Sequence, residues 1–183
     1  VRTKLEILDR EFSIHGASNP IHHIGSRLKS PQSIVEKLHR KGFPVTIESA
    51  EEHLFDIAGV RIICNYIDDI YRLAELITRQ QDIELVEKCD YISEPKPNGY
   101  RSLHLVVRVP VYLSDHTESV PVEIQIRTIA MDFWASLEHQ LRYKSDVEAT
   151  TALKYRLKLC AERSAELDSE MQSIYREMRM LSK

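Results

Sequence analysis

The chain has 183 residues, room for one ordinary domain or one domain with a helical extension. Its 43% hydrophobic and 29% charged content excludes a disordered or collagen-like chain, and no apolar run reaches the ~18–20 residues that cross a bilayer. With 25 basic against 28 acidic residues the net charge is −3, which excludes binding to nucleic acid by bulk charge.

Residues 3–14 form a predicted first helix, with Leu5, Leu8 and Phe12 at helical spacing, and Gly16 to Pro20 break it. A second helix is expected to begin near Pro31, a residue suited to a first turn, and to end at Gly42 and Pro44. Ile57–Tyr66 is β-branched and apolar, the pattern of a buried strand. A helix over Asp68–Arg79 follows, with Ile70, Leu73, Leu76 and Ile77 on one face. Ser102–Val109 and Val120–Arg127 read as antiparallel strands joined by the polar turn Ser114–Thr117, and Ala130–Tyr143 as a helix. The last 35 residues carry one long helix. Leu153, Leu157, Cys160, Ser164, Leu167, Met171, Ile174, Met178 and Leu181 fall at alternating steps of four and three, a heptad seam. Such a seam packs either on its own domain or against a second copy.

Charge is segregated along the chain. Five basic residues (Arg27, Lys29, Lys37, Arg40 and Lys41) face one acid between positions 27 and 41, and four acids without Lys or Arg fill 48–56. Ser33 and Lys37 share a helix face with Arg40 or Lys41, a cradle for a triphosphate near a helix N-terminus. No GxGxxG, Walker A, HExxH, GxSxG or His-Asp pair occurs, which removes dinucleotide, P-loop, zincin, serine-hydrolase and His-Asp phosphohydrolase readings. In Val122–Arg127, strand alternation puts Glu123, Gln125 and Arg127 on one face, a carboxylate, an amide and a guanidinium able to hold a metal, a base edge and a phosphate. Asp56, at the mouth of the Ile57–Tyr66 strand and close to Gly59, supplies a second carboxylate of the kind Mg²⁺ needs. Lys96-Pro97-Asn98-Gly99-Tyr100 is a turn by chemistry and presents a cation and an aromatic ring.

Four segments in order resemble the synthetase domain of the RelA/SpoT family, and within it the stand-alone small alarmone synthetases. They are Arg27-Leu28-Lys29 with Ser33 and Lys37, Asp56–Arg61, Lys96–His104 and Glu123–Thr128. The resemblance runs from about Pro20 to Lys144. It implies an α+β, nucleotidyltransferase-like mixed sheet flanked by helices, a synthetase domain over 1–145, and a C-terminal helical extension over 146–183 for oligomerisation or packing. It also implies a GTP pyrophosphokinase that moves pyrophosphate from ATP to the 3′-hydroxyl of GDP or GTP, giving ppGpp or pppGpp and AMP.

By the same resemblance Asp56 is the principal Mg²⁺ ligand, and Glu123 completes the metal site or accepts the hydroxyl proton. Arg27 and Arg61 sandwich the adenine, and Lys29, Ser33 and Lys37, with Arg40 and Lys41 behind them, grip the ATP phosphates. Tyr100 stacks on guanine, while Lys96, His104 and Gln125 hold the acceptor. Asp132 pairs with guanine or caps a helix start. Glu87-Lys88-Cys89-Asp90 matches neither the basic nor the acidic form of a segment the family links to acceptor preference, which leaves GDP and GTP both open. The implied partners are these nucleotides and further copies of the chain, a tetramer by resemblance, with no DNA or membrane partner and RNA left open. Cys64, Cys89 and Cys160 form no CxxC pair, and Val1–Lys4 lacks a leader's apolar core; both fit a reduced cytoplasmic setting. Two rival functions remain: another Mg²⁺-dependent nucleotidyltransferase, and a non-catalytic nucleotide-sensing oligomeric module.

Overall fold

The computed structural model describes residues 1–14, 19–144 and 150–181. The expected breaker at Gly16–Ser18 and the expected domain boundary at 145/146 lie outside the described residues. In chain order the elements are α1 (Arg2–Ile14), β1 (Ile21–Leu28), α2 (Pro31–Lys41), α3 (Ile47–His53), β2 (Ala58–Cys64) and α4 (Ile67–Thr78). They continue as β3 (Glu84–Asp90), β4 (Leu103–Tyr112), β5 (Thr117–Thr128), α5 (Ile129–Lys144) and α6 (Thr151–Leu181). The five strands form one mixed sheet in the order β1-β2-β5-β4-β3, in which only β2 and β5 run parallel.

Alternation splits this sheet into two faces. Val60, Ile62 and Cys64, Val122, Ile124 and Ile126, and Leu103, Leu105 and Val107 point to one side and are buried. There they meet Ile70, Leu73, Ala74 and Ile77 of α4 and Leu5 of α1 in one continuous core. Each fully buried aliphatic side chain stabilises the fold by roughly 1.5–3 kcal/mol, so this layer fixes the register of the three central strands. The opposite face carries Glu123, Gln125, His104 and Arg61. A smaller core of Leu38, Ala50 and Leu54 joins α2 to α3, with Ile34, Phe43 and Ile57 around it. It holds the chain just before β2.

The helix ends follow local chemistry. Ser30 caps α2 by accepting from the Ser33 N–H, Pro31 opens the helix, and Gly42 closes it in the left-handed region at φ 75°. Thr46 caps α3 in the same way.

The long helix α6 differs from its sequence pattern. The face it packs inward holds Ala161, Asp168 and Gln172, with Ser164 half-buried beside them. This stripe lies about one residue off the heptad seam. Leu167, Met171, Ile174, Met178 and Leu181 of the seam are exposed. The inward contacts combine apolar packing of Ala161 on Trp134 and Ala135 with polar bonds: the Ser164 hydroxyl donates to the Ala130 carbonyl (3.1 Å), and the Asp68 N–H donates to Gln172 Oε1 (2.9 Å). The Thr128 hydroxyl donates to Asp168 Oδ2 (2.6 Å), and Tyr175 stacks on Tyr66.

Candidate active site on the open sheet face

Register lines up the chemistry across the sheet. Gly25, Arg61, Gln125, His104 and Cys89 are successive cross-strand partners, and so are Arg27, Gly59, Glu123, Val106 and Glu87. Asp56 stands three residues before Gly59. A backbone bond from the Lys29 N–H to the Ile57 carbonyl (2.8 Å) clips it to the end of β1.

Lys29 and Lys37 both bring their ammonium groups to Asp56 Oδ2, at 2.7 and 2.5 Å. Burial pushes the Asp56 carboxyl up, but the two ammonium groups outweigh it and hold its pKa below the ordinary value. Its other oxygen, Oδ1, is buried and has no hydrogen-bond partner. An ionised carboxylate with one buried oxygen unengaged fits a divalent cation, and Glu123 is the second carboxylate on this face.

Glu123 is held by its neighbours. It accepts from Gln125 Nε2 (2.8 Å) and lies 3.4 Å from His104 Nδ1. Burial raises its pKa and so does the charge of Asp56, yet the bonds from His104 and Gln125 win and keep it low. The carboxylate is therefore ionised at neutral pH. The push from Asp56 shows that the two carboxylates feel one another.

The direction of these bonds is set by Arg127. This guanidinium is 4% exposed and donates to Gln125 Oε1 (2.8 Å), the Tyr100 hydroxyl (2.5 Å), Asp132 Oδ1 (3.2 Å) and Ser102 Oγ (3.4 Å). Arginine can only donate. Gln125 must then turn its amide N–H₂ toward Glu123. The Tyr100 hydroxyl, which accepts from Arg127, is also hydrogen-bonded to His104 Nε2 (2.8 Å), a contact that holds the ring with Nδ1 facing Glu123. One buried cation thus orients the Gln125 amide that holds Glu123 and, through Tyr100, braces the His104 ring. Its donors are already engaged, so it is no free phosphate grip; from sequence the motif position stood out, but its burial did not.

On the other side of the carboxylates, the stem of Arg27 lies over Gly59. A Cβ at Gly59 would meet Arg27 Cγ at an ordinary 3.6 Å, so no crowding against protein atoms demands glycine there. Arg61 pairs with Asp132 at 3.5 Å, and its buried Nε has no hydrogen-bond partner. Asp132 sits in the first turn of α5, where a carboxylate favours the helix dipole, and is shared by Arg61 and Arg127. Ser33 lies in the first turn of α2 beside the Ser30 cap. Arg40 and Lys41 are exposed in the last turn, about 5–6 Å along the axis beyond Lys37 at 1.5 Å per residue, and the cations that pair with Asp56 are Lys29 and Lys37.

The loop before β4 completes the site. Lys96 and Gly99 close a turn through the Gly99 N–H to Lys96 carbonyl bond (2.8 Å), with Pro97 second and Asn98 third. Gly99 alone takes positive φ, at 90°; Asn98 does not. The Lys96 ammonium lies over the rings of Tyr91 (4.3 Å) and Tyr100 (5.2 Å), a pairing that gathers cation and aromatics at the edge of the open face. Asp90 anchors the preceding turn by accepting from the Ile92 and Ser93 N–H groups and from the Tyr71 hydroxyl. That is a structural use for one member of the 87–90 segment.

A mixed sheet with one helix-covered face, and a paired-carboxylate face flanked by cations and aromatics, defines a nucleotidyltransferase-like α+β protein. Residues 26–148 match the family model described as the region found in RelA / SpoT proteins. The chain is 49% identical over 176 residues to GTP pyrophosphokinase YwaC of Bacillus subtilis strain 168, covering 96% of this chain and 84% of that protein. Small alarmone synthetase 1 from Bacillus subtilis, solved bound to its product pppGpp, superimposes with a TM-score of 0.90 at 39% identity, covering 96% of this chain and 89% of that one. The same relative bound to AMPCPP gives 0.82 at 34% identity, covering 97% and 89%. The chain belongs to the RelA/SpoT family.

Proposed function

We propose that the protein is a GTP pyrophosphokinase that transfers pyrophosphate from ATP to the 3′-hydroxyl of GDP or GTP. The observation that carries this reading is the ionised pair Asp56 and Glu123, set between a cationic half (Arg27, Lys29, Lys37, Arg61) and an aromatic half (Lys96, Tyr100, His104) of one sheet face. The names of the relatives point the same way.

In this reading the ATP polyphosphate lies along Lys29, Ser33 and Lys37, with Arg27 and Arg61 on the adenine. The two lysines exchange Asp56 for phosphate oxygens as ATP enters. Asp56 Oδ1, with the ATP phosphates, would hold Mg²⁺, which when bound supplies charge neutralisation on the phosphates and leaves Glu123 to act as the base. Tyr100 stacks on guanine, and Gln125 and His104 keep the acceptor beside Glu123. Glu123 takes the proton of the 3′-hydroxyl as its oxygen bonds to the β-phosphorus. The bond between the β-phosphorus and the oxygen it shares with the α-phosphate breaks, and AMP leaves carrying that oxygen and its electron pair. Catalysis of this kind is chiefly positioning and charge compensation. Asp132, already bound to two guanidinium groups, stays with the cap and orients Arg61.

The chain works as a homo-oligomer, up to a tetramer, through the exposed seam of α6. The supporting observation is that the inward stripe of that helix packs small or polar side chains (Ala161, Ser164, Asp168 and Gln172), while the large apolar residues of its seam from Leu167 on face out. No helix among the described residues is long and apolar enough to cross a membrane. A reduced cytoplasmic setting is part of the same proposal, in keeping with free Cys64, Cys89 and Cys160.

Incubation with ATP, GDP or GTP and Mg²⁺, followed by chromatographic resolution of nucleotides, tests this directly. AMP together with a pyrophosphorylated guanosine nucleotide is expected. Release of pyrophosphate instead would make the protein a different nucleotidyltransferase, and unchanged nucleotides would make it a sensor.

A further inference from the structure

The loop that carries Lys96 and Tyr100 rests on the C-terminal helix at one point. Gly99 lies so close to α6 that a Cβ built on it would come within 2.5 Å of Ala161 Cβ and 3.6 Å of the Lys158 carbonyl oxygen. Ala161 is buried and belongs to the same small core as Trp134, Ala135 and Tyr100. That core is tied to both helices. Trp134 Nε1–H donates to the Leu157 carbonyl of α6 (2.9 Å), and Ser164 bonds back to Ala130 of α5. From Tyr100 the contacts continue to Arg127 and His104, and from these to Gln125 and Glu123. Small side chains on α6 at this one level are therefore what lets the loop sit low enough for the Tyr100 hydroxyl to reach Arg127.

We propose that Ala161 is a positioning residue for the acceptor nucleotide: through its contact with Gly99 and Tyr100, α6 sets the height of the acceptor loop over the sheet. The C-terminal helix is then a working part of the guanine-nucleotide site as well as a surface for other copies. This inference rests on the proposed function, which assigns that loop to the acceptor. A displacement of about 1 Å at such a loop is enough to cost around a hundredfold in turnover, so a few added atoms at position 161 have a measurable lever.

The experiment compares Ala161→Leu, Ala161→Ser and Ala161→Gly with Gln172→Ala in the full chain. Gln172 belongs to the same packed stripe but meets α4 at Asp68, away from the loop. KM is measured separately for GDP and ATP, and the emission of Trp134, the one tryptophan, is followed during GDP titration. Ala161→Leu is expected to raise KM for GDP about tenfold, Ala161→Ser about threefold, with KM for ATP held within about twofold. The GDP midpoint of the Trp134 signal should shift in parallel. Ala161→Gly should stay near wild type, and Gln172→Ala should lower the melting temperature without moving KM for GDP. If Ala161→Leu does not fold, the serine variant carries the same comparison. Equal changes in both KM values, an unmoved GDP midpoint in a folded variant, or an equal GDP effect from Gln172→Ala would overturn the inference. A wild type that yields no pyrophosphorylated product overturns the proposed function and this inference with it; an active wild type with indifferent Ala161 variants overturns the inference alone.

Discussion

At Asp56 one oxygen accepts from two ammonium groups while the other is buried and unengaged. Asp56→Asn removes the charge and leaves Lys29 and Lys37 facing an amide. Turnover should fall by about a hundredfold or more, since charge compensation of this kind is the largest contribution to phosphoryl-type transfer. Far-UV circular dichroism should stay unchanged, and near-normal activity at saturating Mg²⁺ would sink the assignment. Glu123→Gln separates two roles by metal titration. A ligand's loss is relieved by more Mg²⁺ or by Mn²⁺, whereas a base's loss lowers kcat at every metal concentration with ATP binding intact. The second outcome is expected, because Gln125 and His104 already orient Glu123 toward the acceptor side. Tyr100 also has two parts. Its ring should contribute roughly 1–3 kcal/mol of stacking, so Tyr100→Ala raises KM for the guanine nucleotide far more than for ATP. Its hydroxyl joins Arg127 to His104, so Tyr100→Phe is not silent: it strands a buried donor, worth about 1–3 kcal/mol, and removes the bond that braces the His104 ring. A kcat about tenfold lower, with KM for GDP little changed, is the expected signature in steady-state kinetics.

At the scale of elements, the interior strands were legible from sequence and the edge strands were not. β2, β4 and β5 each turn alternate residues into a buried layer, so their patterns survive in the sequence. β1 and β3 close the two edges of the sheet. β3 is exposed on both faces for most of its length, and β1 is interrupted by His22, His23 and Gly25, so neither carries a two-residue period. The short α3 was missed for a similar reason, since only Ser49 and Ala50 of its seven residues are buried. The α6 contact surface adds a pH-dependent element. Burial raises the Asp168 carboxyl above its ordinary 3.8, more than the bond from Thr128 lowers it, and Asp69 is shifted the same way. A raised pKa means that the folded chain holds a proton the unfolded chain has released. Stability therefore falls as pH rises from 3.8 toward the raised value. Asp168→Asn keeps an oxygen for the Thr128 hydroxyl and cannot ionise. Its melting temperature should decline less with pH than that of wild type over this range, and parallel profiles would remove Asp168 from the account.

For the whole molecule, the outward stripe of α6 is the surface that tests the proposed assembly. Leu167 lies at its middle and is 61% exposed. If this stripe joins copies, Leu167→Glu places a charge in a desolvated seam and splits the assembly, while a monomer would bear the change on a wet surface at almost no cost. Sedimentation velocity should show wild type as an oligomer and the variant as a smaller species that still folds. A monomeric wild type discards the interface outright.

The sequence by itself determined the carboxylates, the basic run, the loop and the alternation of Glu123, Gln125 and Arg127, because these depend on residue type and on the period of a strand. It also supported the family, through four motifs in order. Register and burial were decided only by the tertiary structure. Arg127 is a hub and not a phosphate grip because the loop before β4 and the first turn of α5 bring Tyr100, Ser102 and Asp132 to its donors. The face of α6 that packs is not the heptad seam but the small and polar stripe beside it, since hydrogen-bonding partners from α4, α5 and β5 wait for it there. A heptad pattern marks an apolar stripe but cannot say which neighbour it meets, because that depends on contacts between residues far apart in the chain.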